Sequence, residues 1–126
     1  MDVITRHFGK VAVVAATGRV DQSSASALES ALSPLWGSPD VASLVLDFSG
    51  IEYISSVGLR VLMVAAKALR ARKAAIAVAS LQPVVAEIFE ISRFHHVVDV
   101  RGNLRDAIGA ISPQALAAYD RTAERT

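Results

Sequence analysis

The 126-residue chain contains no cysteine. That removes disulfides, thiolate nucleophiles and cysteine-ligated zinc, and it fits a cytoplasmic protein. No apolar run reaches the roughly 18 residues a membrane span needs. The longest stretch, Val57 to Leu69, is interrupted by Arg60 and Lys67. The opening MDVITRHFGK lacks a basic segment followed by an apolar one, so no signal peptide is expected. Charge of one sign is also missing. Lys and Arg number 13 against 12 Asp and Glu, a formal net charge of +1, which gives no basic footprint for nucleic acid. GRVDQSSA has one glycine and no lysine, so it is not a phosphate-cradling loop. SSVGL is not the G-x-S-x-G elbow of a serine hydrolase. His95 and His96, read as neighbours on a strand, would point to opposite faces and not chelate a metal. No enzyme, metal or cofactor is expected. Internal repeats and low-complexity blocks are absent as well.

What is present is an apolar fraction of 52%, enough for a core, in a length that suits one domain. DVITRHF (2–8) and VAVVAATGRV (11–20) read as strands joined at Gly9-Lys10, an edge hairpin. Asp21, Ser23 and Ser24 are good helix caps. Ala27, Leu28, Ala31, Leu32 and Leu35 follow at helical spacing, with Pro34 late and Gly37 ending the helix. VASLVLDFSG (41–50) reads as a buried strand and IEYI as a short extended connection. From Ser56, the positions Leu59, Leu62, Met63, Ala66 and Leu69 mark one face of an amphipathic helix. AAIAVAS (74–80) is a strand, Pro83 opens a helix, HHVVDV (95–100) is a short strand, and Asn103 caps a final helix that Pro113 breaks. The order β-β-α-β-α-β-α-β-α implies an α/β fold: a mixed sheet with an antiparallel edge and about four helices. The domain is expected over 1–112, with 113–126 a tail, frayed or partly helical.

Two hydroxyls, Ser55 and Ser56, stand where the strand-like run meets the helix. LVLDFSGIEYISSVGLRVL resembles the signature of STAS domains, the fold of bacterial anti-sigma-factor antagonists. An apolar strand ends in an acid (Asp47), a loop follows, and Ser56, Gly58 and Leu59 match the phosphorylated serine, glycine and leucine that open a helix. TGRVD (17–21) resembles the second signature, whose acid, Asp21, lies beside the phosphosite, and VVAEIFEISRF resembles the third helix. The resemblance covers roughly residues 3–111. Ser55 stands where the family has an acid, Val57 where many members have a hydroxyl, and Arg93 where a glycine is common.

The resemblance implies a cytoplasmic, monomeric switch protein without cofactor. Its unphosphorylated form would bind an anti-sigma factor that is also a serine kinase of the histidine-kinase-like ATPase fold. Phosphorylation of Ser56, with Ser55 as the second choice, would release that partner, and a serine phosphatase would restore binding. Asp21, Asp47 and Ser55 are expected near the phosphosite, and Val57, Gly58, Leu59 and Arg60 against the partner. Mg-ATP would belong to the kinase. The alternative is a STAS scaffold subunit that never cycles, in a stress-signalling assembly or beside a lipid-transport ATPase, with the serines only capping the helix. A nucleotide- or small-molecule-binding module is a third reading that no residue requires.

Overall fold

The computed structural model describes residues 1–124. Its sheet has five strands in the order of the sequence: β1 (Asp2–Phe8), β2 (Val11–Val20), β3 (Ser43–Ile54), β4 (Ala75–Ala79) and β5 (Asp99–Arg101). β1 runs antiparallel to β2, and the other three pairings are parallel. The hairpin closes on Gly9, whose φ of +59° suits glycine at the first position of a two-residue loop.

Side-chain alternation builds two cores from one sheet. Ala12, Val14 and Ala16 of β2, with Leu44 and Leu46 of β3 and Val78 of β4, face α1 (Ala25–Trp36), α2 (Ser56–Ala71) and α3 (Pro83–Ile91). Val11 and Val13, Val45, Ala77 and Ala79 face the other way, toward α4 (Leu104–Ile111) and α5 (Pro113–Glu124). Strands covered on both faces read as unbroken apolar runs, as VAVVAA and LVL do. The three parallel connections all carry their helices over the first face. The N-terminal turn of α2 is thereby set at the ends of β2 and β3.

Local chemistry explains the helix ends. Pro83 is the first residue of α3, and Asn103 caps α4 by accepting from the Asp106 amide at 2.8 Å. Arg72, just past α2, donates to the carbonyls of Trp36, Ser38 and Val41, and so ties the α1–β3 connection to the end of α2.

Three expectations are corrected. IEYI is not a connection: β3 continues through it, because Arg19 pairs with Tyr53 and Val20 with Ile54. HHVVDV is not one strand. Arg93 takes a left-handed backbone conformation (φ 56°) and turns the chain into a 3-10 turn, Phe94–His96. Burial of Phe94 edge-on against Phe89, at 5.2 Å between ring centroids, holds that turn. The His95 and His96 rings consequently lie 4.2 Å apart instead of on opposite faces. Finally, Pro113 ends α4 but also opens α5, which brings the helices to five among the described residues. The Ser112 hydroxyl accepts from the Ala115 amide at 3.1 Å, Tyr119 packs edge-on against Phe8, and Arg105 pairs with Asp120. Of the tail 113–126, expected to be frayed or partly helical, Pro113–Glu124 form α5 and residues 125–126 lie outside the described residues.

Candidate functional site

The two serines have different surroundings. Ser55 is extended (φ −89°, ψ 173°) and is the N-cap of α2. Its backbone amide donates to Val20 O at 2.8 Å, its carbonyl accepts from the Leu59 amide at 2.9 Å, and its hydroxyl accepts from the Gly58 amide at 3.3 Å. Ser55 is half-buried and committed to the helix end. Ser56 is the first helical residue and is exposed. Of the first-turn amides, which lack partners within any helix, Gly58's is satisfied by Ser55. Those of Ser56 and Val57 lie at the positive end of the helix dipole. No acidic residue occupies the first turn.

Gly58 is buried, with its Cα toward the sheet. A Cβ there would sit 2.6 Å from Val20 Cγ1 and 2.7 Å from Ile54 Cγ1. The glycine lets α2 touch the ends of β2 and β3, which fixes where Ser56 emerges. It therefore offers no surface to a partner, contrary to its expected place in the binding surface. Val57 and Leu59 are half-buried and Arg60 is exposed. Arg60 separates two open hollows. One, of about 270 Å³, is lined by Ser56, Leu59, Arg60, Met63, Ser92 and Phe94. The other, of about 330 Å³, runs from Val57 and Val61 to Gln22 and Glu29 on the α1 side.

The Val20–Ser55 backbone hydrogen bond brings Asp21 to the same end of the sheet. Its carboxylate, however, is turned onto its own loop. Oδ1 accepts from the Ser23 hydroxyl (2.7 Å), the Ser23 amide (3.0 Å), the Ser24 hydroxyl (3.1 Å) and the Ser24 amide (3.2 Å). These bonds, the Ser23 hydroxyl first, hold its pKa below the ordinary aspartate value. Such a carboxylate holds the turn that leads into α1 and is a poor proton acceptor for a serine. Asp47 is not at the site. It lies in the middle of β3, opposite Ala15 and Ala79, and accepts from the Ser49 amide. Val20 lies five residues beyond Ala15 along β2, on the order of 16 Å of strand.

Four further residues stand at or beside the site. Arg19 lies over the Tyr53 ring at 4.6 Å, on the strand ends that carry Asp21 and Ser55. Met63 and Ser92 line the Ser56 hollow, and Ile91, 76% exposed, stands beside Ser92.

The family model described as "Mlab, STAS domain" matches residues 4–104. The chain belongs to the STAS-domain family. BtrV of Bordetella bronchiseptica, named as an anti-sigma factor antagonist, is 42% identical over 73 residues. That match covers 58% of this chain and 62% of BtrV, less than two thirds of that relative's length. An anti-sigma factor antagonist from Mycobacterium paratuberculosis has the same fold, with a TM-score of 0.80 at 24% identity, over 87% of this chain and 92% of that one. So does SpoIIAA of Bacillus in its phosphorylated form, with a TM-score of 0.69 at 13% identity, over 88% and 100%.

Proposed function

We propose that this protein is an anti-sigma-factor antagonist whose partner binding is switched by phosphorylation of Ser56. The observation that carries the reading is the division of labour at the start of α2. Ser55 holds the cap, so Ser56 is left exposed at a helix N-terminus, beside first-turn amides that have no partner within the helix. The reading is also supported by the likeness to BtrV, and the same fold has been solved for SpoIIAA carrying phosphate.

The partner is an anti-sigma factor with serine kinase activity, docked over Ser56, Leu59, Arg60 and Met63, with Val57 at its rim. In the transfer step the Ser56 Oγ attacks the γ-phosphorus of ATP held by that kinase. The new Oγ–P bond replaces the bond to ADP, and the hydroxyl proton goes to a base of the kinase. The protein supplies the nucleophile's position and stays a substrate throughout. The product carries about −1.5 to −2 of added charge. Helix dipole and free amides tolerate it, so the fold persists while the apolar docking surface gains an anion that the kinase site no longer accommodates. A serine phosphatase removes the group and resets the switch.

The test is binding of the cognate kinase, captured from the source cells, to wild type, Ser56→Ala and Ser56→Asp in the presence of Mg-ATP. Wild type is expected to be released with time, Ser56→Ala to stay bound, and Ser56→Asp to bind more weakly from the start. Equal binding by all three contradicts the reading. One observation favours a second reading, the non-cycling scaffold: the Ser55 cap is complete without any modification. In that case Ser56→Asp binds the partner as wild type does.

A further inference from the structure

The open edge of the sheet is self-complementary. β1 is a seven-residue edge strand, Asp2–Phe8, paired on one side only. The opposite edge is only three residues long, and its Asp99 and Arg101 are paired with each other at 2.8 Å. The two-residue loop makes Phe8 and Val11 the hydrogen-bonded pair that closes the hairpin. Asp2, Ile4 and Arg6 therefore turn their backbone groups toward β2. Val3, Thr5 and His7 turn theirs to the open edge.

The side chains alternate in the opposite sense. Phe8 is buried in the α4/α5 core, and Val3 packs on the other one. Asp2, Ile4 and Arg6 thus share the face that Phe8 enters. Ile4 is 64% exposed, and among the described residues no other large apolar side chain of the sheet is exposed.

We infer that β1 pairs with β1 of a second copy of this chain, antiparallel about a two-fold axis at Ile4, to give a ten-stranded sheet across the dimer. In this register the Val3 and Thr5 backbones of the two copies exchange hydrogen bonds. Ile4 meets Ile4 in a non-hydrogen-bonded pair, where side chains approach most closely. Asp2 of each copy lies opposite Arg6 of the other. Charges on an edge strand ordinarily keep other strands away. Here the acid and the base sit symmetrically about the apolar residue, so a two-fold axis matches each charge with its opposite. Moving the register by one step to an axis at Thr5 sets Asp2 against Phe8 and Ile4 against Arg6, and loses both matches. The dimer leaves Ser56 free, because α2 lies across the first face of the sheet and away from this edge. The proposed dimer departs from the monomer that the family resemblance implied.

The cysteine-free sequence makes the test clean. In the proposed register the Ile4 Cα atoms are about 4.5 Å apart, within disulfide reach. Two Thr5 Cα atoms would be roughly 9 Å apart, beyond it. Under mild oxidation, full-length Ile4→Cys is expected to form a covalent dimer, and Thr5→Cys to stay monomeric on a non-reducing gel. In sedimentation equilibrium, Asp2→Lys sets like charges together twice across the axis and is expected to raise the dimer dissociation constant about tenfold. Asp2→Lys with Arg6→Asp is expected to restore it. Folded Ile4→Cys that does not cross-link, preferential cross-linking of Thr5→Cys, or a monomer at every concentration overturns the proposal.

Discussion

Replacing Gly58 with alanine tests the packing that places the site. The added methyl would stand 2.6 Å from Val20 Cγ1 and 2.7 Å from Ile54 Cγ1. Real carbon contacts are close to 3.5–4.0 Å, so about 1 Å of movement is required. Val20 and Ile54 are 0% and 1% exposed, with branched side chains held by the core. Overpacking of this kind costs about 1–3 kcal/mol. The better helix propensity of alanine returns about 0.5–1 kcal/mol. The net loss centres on about 1 kcal/mol, within a range of about 0–2.5 kcal/mol, and the central value is a fall in Tm of roughly 4 °C for a domain of this size. Urea denaturation measures it, and Val20→Ala supplies the control. Removing the Val20 methyls makes room, so the double variant should be more stable than the sum of the two single losses by about 1 kcal/mol. A Gly58→Ala protein more stable than wild type, or strict additivity with Val20→Ala, would refute the reasoning.

Ser55→Ala removes the hydroxyl that accepts from Gly58 N and should cost about 1 kcal/mol in chemical denaturation, while Ser56 remains a substrate of the kinase. Arg93→Gly relieves a left-handed backbone (φ 56°) and should raise stability by about 0.5–1 kcal/mol by the same assay. The lowered pKa of Asp21 means its bonds to Ser23 and Ser24 are fully present above the ordinary aspartate value of about 3.9. They are lost only as pH falls through the lower folded value. Carboxyl NMR titration should show this, and Ser23→Ala should move the midpoint up toward the ordinary value.

Residues that obey one local rule were legible before the structure. Pro83 and Asn103 mark their helix starts by backbone chemistry alone, and the apolar face of α2 follows from spacing. What the sequence hid depended on partners distant along the chain. The strand character of IEYI comes from pairing with Arg19 and Val20 across the sheet. The turn at Phe94–His96 comes from burial of Phe94 against Phe89. Asp47 looked like a strand-end acid only while β3 was taken to stop at Gly50. The site itself was half legible. Two serines before a helix announce a cap and a spare hydroxyl. Which is which requires the Ser55 Oγ–Gly58 N bond, and the role of Gly58 requires the Val20 and Ile54 methyls. Asp21 lies at the same end of the sheet as Ser55, but its hydrogen bonds go to Ser23 and Ser24.

The most direct test of the central claim is the position of phosphate on the protein taken from its own cells. Trypsin releases residues 20–60 as one peptide, because no Lys or Arg lies between Arg19 and Arg60. Fragmentation of that peptide by mass spectrometry then separates Ser55 from Ser56. The account predicts phosphate on Ser56, in a fraction that changes with growth state. Phosphate on Ser55 instead, or on neither serine in both resting and stressed cells, would contradict it.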